Sequence, residues 1–346
     1  MKINPNKLGF MALVVTSVMV LSACNGAGGG ASYTEDEMKD KIVAAFEAMD
    51  EVDTVRSNVS MEGAFTAEGE EIGIDIDMAI GQEILDKEAM KFNADFDLSG
   101  SVTFQEYNVG FSLAAVLLQD AVYANLGTIT GLEDQPNAAM ILPMLEGYSN
   151  KWWSFELPEG GLAGLGLPED ADITAQQEEL MALLKDADLF ESIELVGSGK
   201  IGGVKADKFD IELSQDGVIE YMQKVTAMTE GSQELTEEEI QEFKNVMEDL
   251  ELDTLVWVTE SGYVGGIQIT VVGQLEDAGD VVDVDLDIMI EYSDFNEDIS
   301  IAAPEDATPF DLGGLGMGAP MMGDPAAGIV PEGTPLTLEE QMNPAY

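Results

Sequence analysis

Ile72-Gly73-Ile74-Asp75-Ile76-Asp77-Met78-Ala79-Ile80 alternates a large apolar residue with a small or acidic one. Successive side chains of a β-strand point to opposite faces, so this spacing makes a strand with one apolar and one wet face. The same period returns in Met90-Lys91-Phe92-Asn93-Ala94-Asp95-Phe96-Asp97-Leu98 and in Val282-Asp283-Val284-Asp285-Leu286-Asp287-Ile288-Met289-Ile290. This is the pattern of half-buried antiparallel strands. Further stretches of strand composition run through Val102–Leu118, Ala121–Thr130, Trp152–Leu157, Ile193–Val196, Lys205–Leu213, Leu255–Val258 and Ile267–Leu275. Turn signals stand at Glu68-Gly69, Ser99-Gly100 and Ser261-Gly262-Tyr263.

Helical spacing surrounds and interrupts these strands. Thr34 and Glu37 are placed as a capping box ahead of Met38, Ile42, Ala45, Phe46 and Met49. Thr174 and Gln177 open a second helix with Leu180, Met181, Leu183, Leu184 and Ala187 on one side. Val218, Tyr221, Met222, Val225 and Met228 mark a third. Thr236 and Glu239 cap a fourth, with Ile240, Phe243, Val246, Met247 and Leu250. The order is helix, strands, helices, strands, which predicts an α+β fold. A sheet of roughly ten strands curls, and its apolar face must be covered. The economical arrangement is a curved antiparallel half-barrel with amphipathic helices on its concave side.

The ends of the chain read differently. An apolar run from Leu8 to Val20 follows Lys2 and Lys7 and leads into Leu21-Ser22-Ala23-Cys24. A basic start, an apolar centre and small residues at the end make a secretory signal peptide. The run is shorter than the roughly 20 residues a spanning helix needs. Leu21, Ser22, Ala23 and Cys24 resemble the lipobox of bacterial lipoproteins. That resemblance implies a diacylglycerol thioether on Cys24, loss of residues 1–23, and attachment to the extracytoplasmic face of the cell membrane. In an organism with an outer membrane the place is the periplasm or that membrane. Stable anchoring needs two or more acyl chains. Residues 24–33 are mostly small and form a flexible tether, 34–311 the folded domain, and 312–346 a disordered tail without periodicity.

Composition narrows the chemistry. The 346 residues include 14 Lys and Arg against 68 Asp and Glu, a net charge of −54. Phosphate-backbone binding needs clustered cations, so nucleic acid is excluded, as is attraction to an anionic membrane surface. Cys24 is the one cysteine, so no disulfide forms. The chain has no histidine, which removes the usual general base and every Ser-His-Asp arrangement. Paired carboxylates as in glycosidases are the remaining route, and 68 acids produce such pairs by chance. No enzyme, cofactor or metal is expected. The rows Asp75/Asp77, Asp95/Asp97, Asp210/Glu212 and Asp283/Asp285/Asp287 could offer oxygen ligands to calcium. No calcium loop accompanies them, and they read as the solvated side of a sheet. Met317, Met321 and Met322 could hold Cu(I), though 19 methionines also place three together by chance. Of Trp152 and Trp153, period two sends one ring to the core and one outward. Leu162, Leu165 and Leu167 lie in the Gly/Pro loop Leu157–Pro168, either a movable lid or an ordinary connection.

Three features over roughly residues 34–311 carry a family resemblance: a capped helix followed by a strand series, a helical insertion before the hairpin Leu255–Val271 with Gly262-Tyr263 at its turn, and a closing strand Tyr292-Ser293-Asp294-Phe295-Asn296 running to Ile301 and Pro304-Glu305-Asp306-Ala307. In these the chain resembles the LolA/LolB-like lipoprotein-carrier superfamily, in particular the LppX/LprG-type lipoproteins. The resemblance implies a half-barrel around an apolar cavity for acyl chains, and it transfers no individual ligand residue. The apolar faces themselves nominate Ile74, Ile76, Met78, Met90, Phe92, Phe96, Val284, Leu286 and Ile288 as cavity wall. The expected function is a membrane-anchored lipoprotein that binds or carries a lipid or other apolar ligand. The alternative is a structural module whose core is filled by its own helices and which binds another envelope protein.

Overall fold

In the computed structural model, which describes residues 33–67, 69–87, 91–105, 107–133, 138–157, 189–228, 236–277 and 280–310, the alternating stretches are paired edge to edge. The elements are α1 (Glu35–Met49), β1 (Thr54–Ala67), β2 (Glu70–Asp86), β3 (Lys91–Phe104), β4 (Tyr107–Leu117), β5 (Ala121–Thr130), α2 (Ala138–Tyr148), β6 (Trp152–Glu156), β7 (Phe190–Ile201), β8 (Val204–Leu213), α3 (Gln215–Met228), α4 (Glu237–Asp249), β9 (Leu250–Thr259), β10 (Val264–Asp277), β11 (Asp280–Ser293) and β12 (Thr308–Pro309). The strands form one sheet in the order β12-β6-β5-β4-β3-β2-β1-β11-β10-β9-β8-β7. The fold is α+β, a curved open sheet in which two antiparallel meanders meet where β1 pairs with β11. The chain divides into Met1–Thr308 and Pro309–Tyr346, and of the second part only Pro309 and Phe310 are described.

The register explains why the alternation specifies this sheet. Directly paired residues share a face, and a slip of one position would turn every side chain over. One transverse row runs Leu195, Phe209, Val256, Ile267, Ile290, Val59, Met78, Leu98, Leu113 and Leu126, an apolar residue from each of ten strands. The next row over, on the opposite face, reads Gln268, Met289, Ser60, Asp77, Ser99 and Ser112. Along these rows the inner face is apolar and the outer face mostly polar; the outer face still holds a small apolar cluster of Ile201, Ala206 and Trp257 with Leu255 and Met289.

Several elements differ from the sequence expectation. Ser99-Gly100 is no turn; it lies inside β3, where Gly100 pairs with Ile76 and Phe111. A Cβ on Gly100 would sit 2.5 Å from the Asp75 carbonyl oxygen, so the glycine serves close approach of neighbouring strands. Val102–Leu118 is two strands, broken at Gln105, which adopts a φ of 54°. The closing strand stops at Ser293, and Asp294 and Asn296 take φ values of 56° and 58°. Asn296 instead ties this turn to the start of β1: its N–H donates to the Thr54 carbonyl and its Oδ1 accepts from the Asp53 N–H at 2.7 Å. Helix α2 was not expected, because Pro143 stands inside it and interrupts the helical signal. Both capping boxes are present, at Thr34/Glu37 and Thr236/Glu239.

Candidate functional site

The inner face is filled on one side. Helix α1 lies against β7, β9 and β10 and buries Met38, Ile42, Ala45, Phe46 and Met49 in the apolar cluster of that half of the sheet. Its amphipathic stripe presents these residues at i, i+4, i+7, i+8 and i+11, the spacing of one helical face. A polar clamp fixes the helix. The Lys41 ammonium donates to Asp207 Oδ2 at 2.6 Å and to the Tyr33 hydroxyl at 3.0 Å, and it lies over the Tyr33 ring. Ser198 Oγ donates to the other Asp207 oxygen at 2.7 Å. Burial pulls the Lys41 pKa down, but the bonds to Asp207 and Tyr33 outweigh it and the net shift is upward. Burial pushes Asp207 up, while Lys41 and Ser198 together hold it below its ordinary value. Burying charges is costly unless they are paired and hydrogen-bonded, and here both conditions are met.

The opposite side of the same face is less enclosed. The packed cluster extends as far as β2, where Ile74 and Met78 lie partly buried against it. Beyond β2, Phe92, Phe96, Leu98, Val102, Val109 and Phe111 are each half-buried. Leu113, in mid-strand, is 41% exposed, and Phe104 is 38% exposed. Ala94 is an exception at 2%, lying between its partners Gln82 and Leu117.

The structure thus separates the residues nominated by the sequence. Ile74, Ile76, Met78, Phe92 and Phe96 share the inner face of β2 and β3. Val284, Leu286 and Ile288 share that face too, but they sit in the packed core near α1, at 2%, 5% and 0% exposure. Met90, the lipobox and Cys24, the loop with Leu162, Leu165 and Leu167, the stretch Thr174–Ala187 and residues 312–346 lie outside the described residues. Trp153 pairs with Ala124 and takes the inner face, its Nε1 donating to the Tyr148 carbonyl at 3.1 Å; Trp152 takes the outer one. Leu98, already part of the alternating Met90–Leu98 face, joins the wall, as do Val102, Leu113 and Leu126, which were not singled out. Their signal is the period of two itself, hidden where the turn at Gln105 and a register shift between Phe111 and Leu113 break it.

The outer face carries the charge. Asp287 accepts from Gln268 Nε2 at 2.9 Å, and Asp283 from Gln274 Nε2 at 2.6 Å, so neighbouring amides on β10 hold the β11 aspartates. Arg56 reaches Asp95 and Asp294 at 3.6 and 3.7 Å. Among the described residues no group of three or more His, Cys, Asp or Glu is placed to hold a metal ion. Two shallow grooves on this face, of about 330 and 490 Å³, are lined by residues such as Ser60, Asp77 and Ser99 in the first and Glu62, Asp75 and Asp285 in the second. No described helix is long and apolar enough to cross a membrane.

No protein-family model and no curated protein matches the chain. Among solved structures it is similar to the lipoprotein LppX of Mycobacterium tuberculosis, at 12% identity over 78% of this chain and all (100%) of that one, with a TM-score of 0.30. LprF from Mycobacterium bovis is similar at 11% identity over 73% of this chain and 90% of that one, TM-score 0.30. A DUF1329 family protein from Desulfovibrio piger is similar at 9% identity over 73% and 89%, TM-score 0.17. The fold described above stands on its own strand register.

Proposed function

We propose that this chain is a membrane-anchored extracytoplasmic lipoprotein that binds or carries a lipid through the less enclosed half of its inner face. The observation that carries this reading is the transverse row of apolar residues, sealed at Ile267 with 0% exposure and still 41% exposed at Leu113. Apolar wall of this extent gains about 25 cal/mol for each Å² that a ligand removes from water, before ordering costs. Acyl chains are the ligand part that fits it: long, apolar and without hydrogen-bonding needs. Ile76, Phe92, Phe96, Leu98 and Leu113 form the wall in this reading, with Cys24 as the anchor and Leu162, Leu165 and Leu167 as a lid. Nothing in the reading calls for catalysis.

The full chain carrying Cys24→Ala, purified without detergent and weighed by native mass spectrometry, tests it. A co-purifying mass that organic extraction removes and identifies as lipid is the expected result. Deleting Leu162–Leu167 should then change the rate of lipid uptake, and unchanged uptake would remove the lid from the scheme. A clean apo mass with no uptake from lipid vesicles would favour the structural, partner-binding module instead. That second reading draws on the half of the sheet that α1 already fills.

A further inference from the structure

Two polar residues occupy apolar positions of the alternation, and they are neighbours. Val55-Arg56-Ser57-Asn58-Val59 puts Ser57 on the inner face of β1, and Ile80-Gly81-Gln82-Glu83-Ile84 puts Gln82 on the inner face of β2. Gln82 pairs with Val55, and Ser57 with Ile80, so the two side chains stand on a diagonal. Such diagonal neighbours are within reach of a long side chain. Both are half-buried, and neither side chain has a hydrogen-bond partner among the described residues. Gln82 also pairs with Ala94 on β3, which brings it to the border of the less enclosed wall.

An amide offers two donors and an acceptor, and stripping it of water without replacing those bonds is costly. Gln82 therefore disfavours a bare hydrocarbon against this spot and favours a ligand that brings a polar group of its own. The charge pattern says which kind. From Val55 to Phe65, Ile72 to Ile84, Phe92 to Phe104 and Tyr107 to Leu117, no inner-facing residue is charged. A phosphate held there would be a buried, unpaired charge, whereas an uncharged carbonyl needs only a donor.

We propose that Gln82, with Ser57 beside it, is a polar subsite that takes the ester or amide linkage of an acyl lipid, the Gln82 Nε2–H donating to the linkage carbonyl. The alkyl chains then run from Gln82 along β3 and β4 toward Phe104 and Tyr107, over ~30 Å of uncharged wall at about 3.4 Å per residue. The lipid headgroup leaves at the end of the sheet where β2 turns to β3. This inference rests on the lipid-binding reading and adds the linkage chemistry to it.

The test compares a 1,2-diacylglycerol with the dialkyl ether of the same chain lengths, which lacks the carbonyls, on the full chain carrying Cys24→Ala. The unsubstituted site should bind the ester about five-fold more tightly, the ratio expected of one net hydrogen bond. In Gln82→Leu and in Gln82→Met, a closer match in length, that preference should vanish, with the ether bound at least as tightly as before, which also reports an intact fold. A preference that survives both substitutions, or equal binding of ester and ether before substitution, overturns the subsite and leaves lipid binding standing. Binding of neither probe overturns the lipid-binding reading and the subsite with it.

Discussion

Ile267 on β10 and Leu113 on β4 lie in one transverse row on the same face of the same sheet, yet the first is 0% exposed and the second 41%. Both stand in mid-strand, and both are aliphatic positions of an alternating pattern. The difference is their cover. Over β7, β9 and β10, α1 brings Ile42 and Phe46 into the cluster that holds Ile267, and the Lys41–Asp207 pair fixes the helix there. Over β3 to β5 the row is Leu98, Leu113 and Leu126, none of them fully buried. Identical local patterning thus yields a core over β8 to β11 and an accessible wall over β3 to β5, while the far end of the row at Leu195 is 39% exposed. The half already packed contributes stability, and the other half is free to contribute binding.

The sharpest way to break this contrast is to truncate one row at both places. Ile267→Ala should cost about 3 kcal/mol of unfolding free energy, since a sealed position leaves a cavity. Leu113→Ala should cost under about 1 kcal/mol in the lipid-free chain, because the side chain is already partly in water. Denaturant titration of both variants checks this, and equal losses would show that the two halves are equally packed.

A smaller effect is expected at the clamp. Lys41→Met should cost about 1–2 kcal/mol, between the values of exposed and fully buried pairs. Its pH dependence follows from the two shifts. Asp207 is lowered from 3.8, so its contribution is present above that value and is lost as pH falls through the folded pKa. Lys41 is raised from 10.5, so its contribution is present below that value and is lost as pH rises through the folded pKa. The stability gap between the parent chain and Lys41→Met should be flat near neutrality and close on acidification below 3.8. A gap that persists in acid would assign the loss to packing of the lysine stem instead.

The smallest effect is at the helix start. Thr34 Oγ1 accepts from the Glu37 N–H at 3.3 Å, and Glu37 Oε2 accepts from the Thr34 N–H at 2.7 Å. Thr34→Ala should cost about 1 kcal/mol. Faster amide exchange in the first turn of α1, with β3 and β4 unchanged, would tie that loss to the covered half alone.

The alternating stretches Ile72–Ile80 and Val282–Ile290 carried their own strand assignment and the identity of their apolar face, because side-chain direction in a strand is a local matter of period two. The two capping boxes were legible for the same reason: Thr34 with Glu37 and Thr236 with Glu239 act within one helical turn. Strand β1 (Thr54–Ala67) was not read from the sequence, and neither Ser57 nor Gln82 was singled out; that they are neighbours depends on the register of β1 against β2. Helix α2 escaped because Pro143 argues locally against a helix, and Ser99-Gly100 misled because a turn composition can also serve close strand approach. The sequence by itself determined an apolar-faced antiparallel sheet with amphipathic helices. Only the tertiary structure decided that Val284, Leu286 and Ile288 are core while Phe92, Phe96 and Leu113 remain accessible. The physical reason is that burial belongs to a pair of surfaces, and a strand's sequence encodes only one of them.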